Sequence, residues 1–163
     1  GPNGRLSVRH VEEVVPMDRE AAVFAITDAI ATEDPARALG VLHLLLRQDT
    51  AALALVGFLT SHYRSLARID DAQRSGVGRD DVASAAGVHP YRAQKMTAQL
   101  RTMGAGRLER AIAALDEADA ILKSSAFGDG KAAERRWMEQ LMLALCRGQR
   151  LRLAAGPTAL RSL

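Results

Sequence analysis

The chain has one cysteine, few aromatic residues and almost no runs of β-branched residues. A lone Cys146 excludes an internal disulfide framework and suits a reducing cytoplasm. Aromatics are only 4% of the residues, which leaves little of the material that sheets are built from. No apolar stretch approaches the roughly 18–20 residues of a membrane-spanning helix, and no signal peptide is visible. A glycine-rich phosphate loop of the Walker type is also missing, which removes a common signature of nucleotide binding. The formal net charge of +3, supplied almost wholly by arginine, permits a nucleic-acid contact without requiring one.

Alanine and leucine dominate what is present, and 48% of the residues are apolar. With 163 residues the chain is long enough for one domain with a true core. This composition predicts an all-α fold.

Asp18 predicts a helix N-cap, with Ala22, Val23, Ile26 and Ile30 on one face of a helix ending near Ile30. Asp34-Pro35 predicts a second start, with the acid at the cap and proline at the first helical position. Its stripe of Ala38, Leu39, Leu42, Leu45 and Leu46 runs out near Arg47. Asp49 or Thr50 should open a longer helix reaching about Ala72, striped by Leu55, Leu59, His62, Leu66 and Ile69. Leu53, Val56 and Tyr63 widen that stripe, as in a helix packed on several neighbours. Gly76 and Gly78 break the pattern before a short helix over 80–86, closed by Gly87. Pro90 then starts a helix expected to bury Tyr91, Met96, Leu100 and Met103. Gly104 and Gly106 form the next break, followed by a helix over 107–123. After the turn Gly128-Asp129-Gly130, a final helix carries Trp137, Leu141, Ala144 and Leu145. About seven helices with short loops predict a compact bundle.

Catalysis finds no support. His10, His43, His62 and His89 lie on four separate segments, and none has a second histidine or a cysteine at metal-ligand spacing. Cys146 falls on the core-facing half of the last helix and reads as a structural thiol. Asp116, Glu117 and Asp119 read as a solvated helix face. No cofactor is called for. Two readings stay open for the helix–glycine turn–helix around 82–96. It is either a structural hairpin or a DNA-binding helix-turn-helix in which Arg92, Lys95 and Gln99 face a major groove. The arginines at 147, 150, 152 and 161 read as a solvated tail, with a phosphate-binding arm as the rival. Trp137 suits a core or interface anchor.

The stretch over 115–145, LDEADAILKSSAFGDGKAAERRWMEQLMLAL, joins two amphipathic helices through a polar turn. It carries Asp119 and Lys123 four residues apart, with Glu134 opening the next helix. An acid-before-base pair at that spacing contributes only roughly 0.2–0.5 kcal/mol, so the motif reads as architecture. In wording and order the stretch resembles the last two helices of the delta subunit of the bacterial DNA polymerase III clamp loader. VFAITDAIATEDPARALGVLHLLL (23–46), FLTSHYRSLARI (58–69) and AAGVHPYRAQKM (85–96) are similar to earlier collar helices of that family, in the same order. SAFGDG departs from the family's more usual proline-containing turn, and the last residues have no counterpart.

The resemblance implies a clamp-loader collar-like bundle over 17–147. Before it, residues 1–16 would be a cleavage scar (Gly1-Pro2) and the tail of a preceding small helical domain. Apart from the resemblance, Gly148 and Gly156-Pro157 mark residues 148–163 as an arginine-bearing tail expected to be flexible. The resemblance also implies a cytoplasmic, nucleoid-associated replisome protein assembling with the gamma/tau and delta-prime subunits, with no activity of its own inside a DNA-directed DNA polymerase holoenzyme. The sliding clamp would be reached only through another module, and DNA indirectly. Under this reading the glycine–x–His–Pro turn belongs to the collar fold, with Gly87, Pro90, Asp119, Lys123 and Glu134 as structural motif residues. Phe58, Tyr63, Arg64, Leu66, Trp137 and Leu141 are the residues expected at a subunit interface. A DNA-binding regulator, or a helical adaptor unrelated to replication, is the alternative.

Overall fold

In a computed structural model, residues 17–124 and 130–149 are described; the segment 1–16, the centre of the turn before the last helix and the tail from Arg150 lie outside them. Seven helices and no strand occur among the described residues: α1 Arg19–Ala31, α2 Pro35–Arg47, α3 Ala52–Arg74, α4 Val82–Ala86, α5 Pro90–Met103, α6 Ala105–Lys123 and α7 Lys131–Arg147.

Most boundaries follow from local chemistry. Asp18 accepts from the Ala21 amide, and Asp34 from the Arg37 amide with Pro35 at the first helical position. Such caps are each worth about 1 kcal/mol. Gly87 closes α4 at φ 66°, a left-handed conformation that costs glycine nothing. Pro90 opens α5, but its N-cap is His89, whose Nδ1 accepts from the Tyr91 amide at 3.2 Å. Two starts differ from expectation. Asp49 does not cap α3: it sits at φ 59° in the connecting turn, and extended Ala51 precedes the helix without a side-chain cap. Gly106 lies inside α6 rather than in the break, which is confined to Gly104 at φ 81°.

α3 is the hub, packing on α1, α4, α5, α6 and α7. Its Leu55, Leu59, Tyr63, Leu66 and Ile69 are fully buried, together with Ile26, Leu42, Met96, Leu115, Met138 and Leu141 from the surrounding helices. Two apolar residues expected inside lie outside. Tyr91 is 62% exposed, because the buried line of α5 runs Ala93, Met96, Gln99, Met103 and leaves Tyr91 on the far side of the first turn. Leu53 is 41% exposed, since it shares the outward edge of α3 with Gly57 and Ser61 rather than with Leu55 and Leu59.

A buried polar chain threads this core. His62 Nε2 donates to Gln99 Oε1 (2.7 Å), and Gln99 Nε2 donates to Thr27 Oγ1 (2.9 Å) and Asp28 Oδ1 (2.6 Å). Thr27 Oγ1 in turn donates to Val23 O (2.8 Å). Three helices, α1, α3 and α5, are thereby fixed in register. A second tie is Arg107, which donates from Nη2 to Ile30 O (2.7 Å) and Cys146 O (3.1 Å) and from Nη1 to Ala31 O (3.3 Å). One guanidinium thus satisfies the terminal carbonyls of both α1 and α7.

Candidate functional site

A 23-residue helix at the centre of a bundle cannot bury its whole circumference. Its unburied edge carries Leu53, Gly57, Phe58, Ser61, Arg64 and Arg68. Hollows flank this edge on both sides. Towards α1 and the α2–α3 turn lies one of about 340 Å³, lined in part by Met17, Arg19, Val23, Leu45, Leu55 and Phe58. Beside it a second, about 210 Å³, is walled by Arg19, Val23, Phe24, Phe58, His62 and Arg92. Towards α6 a polar groove of about 460 Å³ brings Arg64, Arg68, Asp116, Asp119 and Lys123 together.

The electrostatics differ across the edge. In the polar groove Arg64 faces Asp116 at 3.6 Å, and Lys123 holds Asp119 at 2.7 Å. Arg68 instead donates to Ala86 O and Ser65 Oγ, locking α4 onto α3. On the α1 side Arg92 pairs with Glu20 at 2.9 Å, while Arg19 lies over the Phe58 ring at 4.3 Å. His62, only 2% exposed, closes the inner end of the smaller hollow edge-on to Phe24. Burial pushes its pKa below the ordinary 6.5, so its ring is neutral, with the Nε2 proton held by Gln99. Its Nδ1 is buried without a partner.

The residues expected at an interface divide sharply. Phe58 is half-buried and Arg64 exposed, both on the outward edge of α3. Tyr63, Leu66, Trp137 and Leu141 are 0–2% exposed inside the chain's own core, so they act as core residues and not as interface anchors; for Trp137 the core was one of the two places the sequence left open. Burial also holds the Tyr63 phenol far above its usual range. The three residues expected to read DNA divide too. Gln99 is 4% exposed and spent on His62, Thr27 and Asp28, so it cannot reach a groove and is corrected to a core network residue. Arg92 is paired with Glu20, and Lys95 lies over the Tyr91 and Phe24 rings at 4.9 and 5.3 Å. With Gln99 sealed inside, α5 lacks one of the three contacts that the DNA-reading alternative calls for. Gly87, Pro90, Asp119 and Lys123 occupy turn, helix-start and helix-end positions, and Glu134 lies in the first turn of α7.

Sequence reasoning missed Arg19, Arg107, the His89 cap and the Thr27–Gln99 bond. A threonine and a histidine inside apolar stripes were the available signal, since a polar side chain on a buried face needs a partner. Among the described residues, no group of three or more histidine, cysteine, aspartate or glutamate side chains could hold a metal ion. Among those same residues, no helix is long and apolar enough to cross a membrane.

The model of one protein family, described as DNA polymerase III delta subunit, C-terminal domain, matches residues 20–143. Among solved structures, the DNA clamp loader delta protein of Bacillus subtilis superposes with a TM-score of 0.70 at 22% identity. The match covers 84% of this chain and 39% of that one, which at this identity establishes a shared fold. No curated protein matches.

Proposed function

The chain belongs to the DNA polymerase III delta subunit, C-terminal domain family, and from that premise we propose that it is a collar domain that holds a clamp loader together. Its partners would be the gamma/tau and delta-prime subunits, and the assembled machine would load a ring-shaped sliding clamp on primed DNA in the cytoplasm. The domain's part in this is adhesive rather than chemical, with nucleotide and clamp handled by other modules.

The observation that carries the reading is the outward edge of α3. Leu53 and Phe58 leave apolar surface uncovered on the most heavily packed helix of the bundle, with arginines beside them. Aromatic and arginine side chains at a patch of this kind are the residue types that dominate association energies. Gly57 has nothing within 4 Å of a Cβ built on it, so a neighbouring helix could approach closely.

The test is co-purification with gamma/tau and delta-prime subunits, read by light scattering, for the natural chain and for a Phe58→Asp, Arg64→Glu variant. A stoichiometric complex that the variant loses, with its circular dichroism unchanged, is the expected result. No complex with the natural chain would sink the assembly reading. A complex that the variant keeps would move the interface off α3.

A further inference from the structure

We propose that the small hollow between α1 and α3 is a receptor for a short acidic segment of a protein partner, its carboxylate on Arg19 and an adjacent apolar side chain against Val23, Phe24 and Phe58. The argument begins with Arg19. It occupies the first position of α1, where the helix dipole favours negative charge and disfavours a cation. No acid among the described residues pairs with it; its contact is the face of Phe58 at 4.3 Å. The acid nearest in sequence on each side is engaged elsewhere, Asp18 as the helix cap and Glu20 with Arg92. A cation held over an aromatic ring at the mouth of an apolar hollow, with no acid among the described residues paired to it, is complementary to a carboxylate.

The walls define the rest of the occupant. Val23, Phe24 and Phe58 give an apolar lining, and the volume of about 210 Å³ suits a single side chain rather than a folded element. Arg92 lies 5.9 Å and Lys95 5.3 Å from the Phe24 ring centroid, so cationic side chains other than Arg19 stand near the hollow, although Arg92 is paired with Glu20. Nucleic acid fits less well. Base stacking needs open ring faces, but cations already lie over both phenylalanines.

This inference stands beside the assembly reading and not on it, since any protein could supply the segment; a failed co-purification leaves it intact. The probe is the blocked tripeptide acetyl-Leu-Asp-Phe-amide, compared with acetyl-Leu-Asn-Phe-amide and with an oligothymidylate. Each is titrated into the chain while the nuclear magnetic resonance signals of Val23, Phe24 and Phe58 are followed. The acidic peptide should shift these signals in a salt-sensitive manner. Replacing its Asp by Asn, or making Arg19→Gln, should weaken binding about two- to fivefold, the worth of one exposed ion pair. Equal binding of the two peptides, absence of shifts, insensitivity to Arg19→Gln, or shifts with the oligothymidylate alone would each overturn the proposal.

Discussion

Gln99→Leu should unfold the bundle more easily than any other single change of a polar side chain on α5. The amide donates to Thr27 Oγ1 and Asp28 Oδ1 and accepts the His62 Nε2 proton, all within 2.9 Å, with the Thr27 and His62 bonds buried. Leucine keeps most of the volume and removes every one of these bonds. His62 is 2% exposed, so its N–H would be left unsatisfied at a cost of about 1–3 kcal/mol. Asp28 is only partly buried, and water would replace much of what its carboxylate loses. The sum is about 2–4 kcal/mol, or about 6–15 °C in Tm for a domain of this size. Urea titration followed by circular dichroism at the helical band measures it, with exposed Gln94→Leu on the same helix as control. A Gln99→Leu loss no larger than the control's would refute the claim that the network carries stability. The double variant His62→Leu, Gln99→Leu sharpens the test. With no stranded donor left, it should be less destabilised than the two single losses summed.

Three further outcomes follow from groups already placed. His62 has a lowered pKa through burial, so the unfolded chain takes up a proton below pH 6.5 before the folded one does. Stability is therefore complete above that pH and declines as pH falls towards the folded value; urea midpoints at stepped pH should show the decline, and His62→Leu should flatten it. Cys146 is buried, with its thiol pushed up to about 11 chiefly by burial, so Ellman's reagent should label it slowly in the native chain and at once in denaturant. Arg107→Ala strips three carbonyl bonds from the ends of α1 and α7 and should cost about 2–4 kcal/mol. Arg107→Lys should recover only part in the same urea titration, because an ammonium cannot fork between two helix ends.

The helices were legible because their signals are local. Asp18, Asp34-Pro35, Gly87 and Pro90 act within one turn of themselves, and the stripes of α2 and α3 have the spacing of a buried face. Apolar character alone did not say which way Tyr91 and Leu53 point; that depends on where the neighbouring helices lie. The same gap explains the interface residues. Tyr63 and Trp137 have the composition of anchors, and only packing reveals that α3 and α7 spend them inside the chain's own core. Gln99 was misread because a polar residue on an amphipathic helix is usually solvated, and the partners that make it internal are 37 and 72 residues away. Arg19 has a cationic residue's ordinary sequence signature, and only in three dimensions is it seen that no acid among the described residues pairs with it.

The division of α3 into an inner and an outer face makes the assembly reading separable from mere stability. Leu66 is fully buried, and Leu66→Ala should cost about 2–5 kcal/mol through lost burial and the cavity left behind. Phe58 is only partly buried and bounds two hollows, so Phe58→Asp removes apolar surface that water already reaches in part. A collar subunit must use residues that its own fold leaves over. Phe58→Asp should therefore keep a near-natural urea midpoint and lose partner binding. Leu66→Ala should lower the midpoint and still bind wherever it remains folded. If Leu66→Ala lost binding while fully folded and Phe58→Asp kept it, α3 would not present the adhesive face assigned to it. The interface would then have to be sought on the outer surfaces of α2 or α6, where Leu39, Val41 and Ile112 are among the partly buried apolar residues.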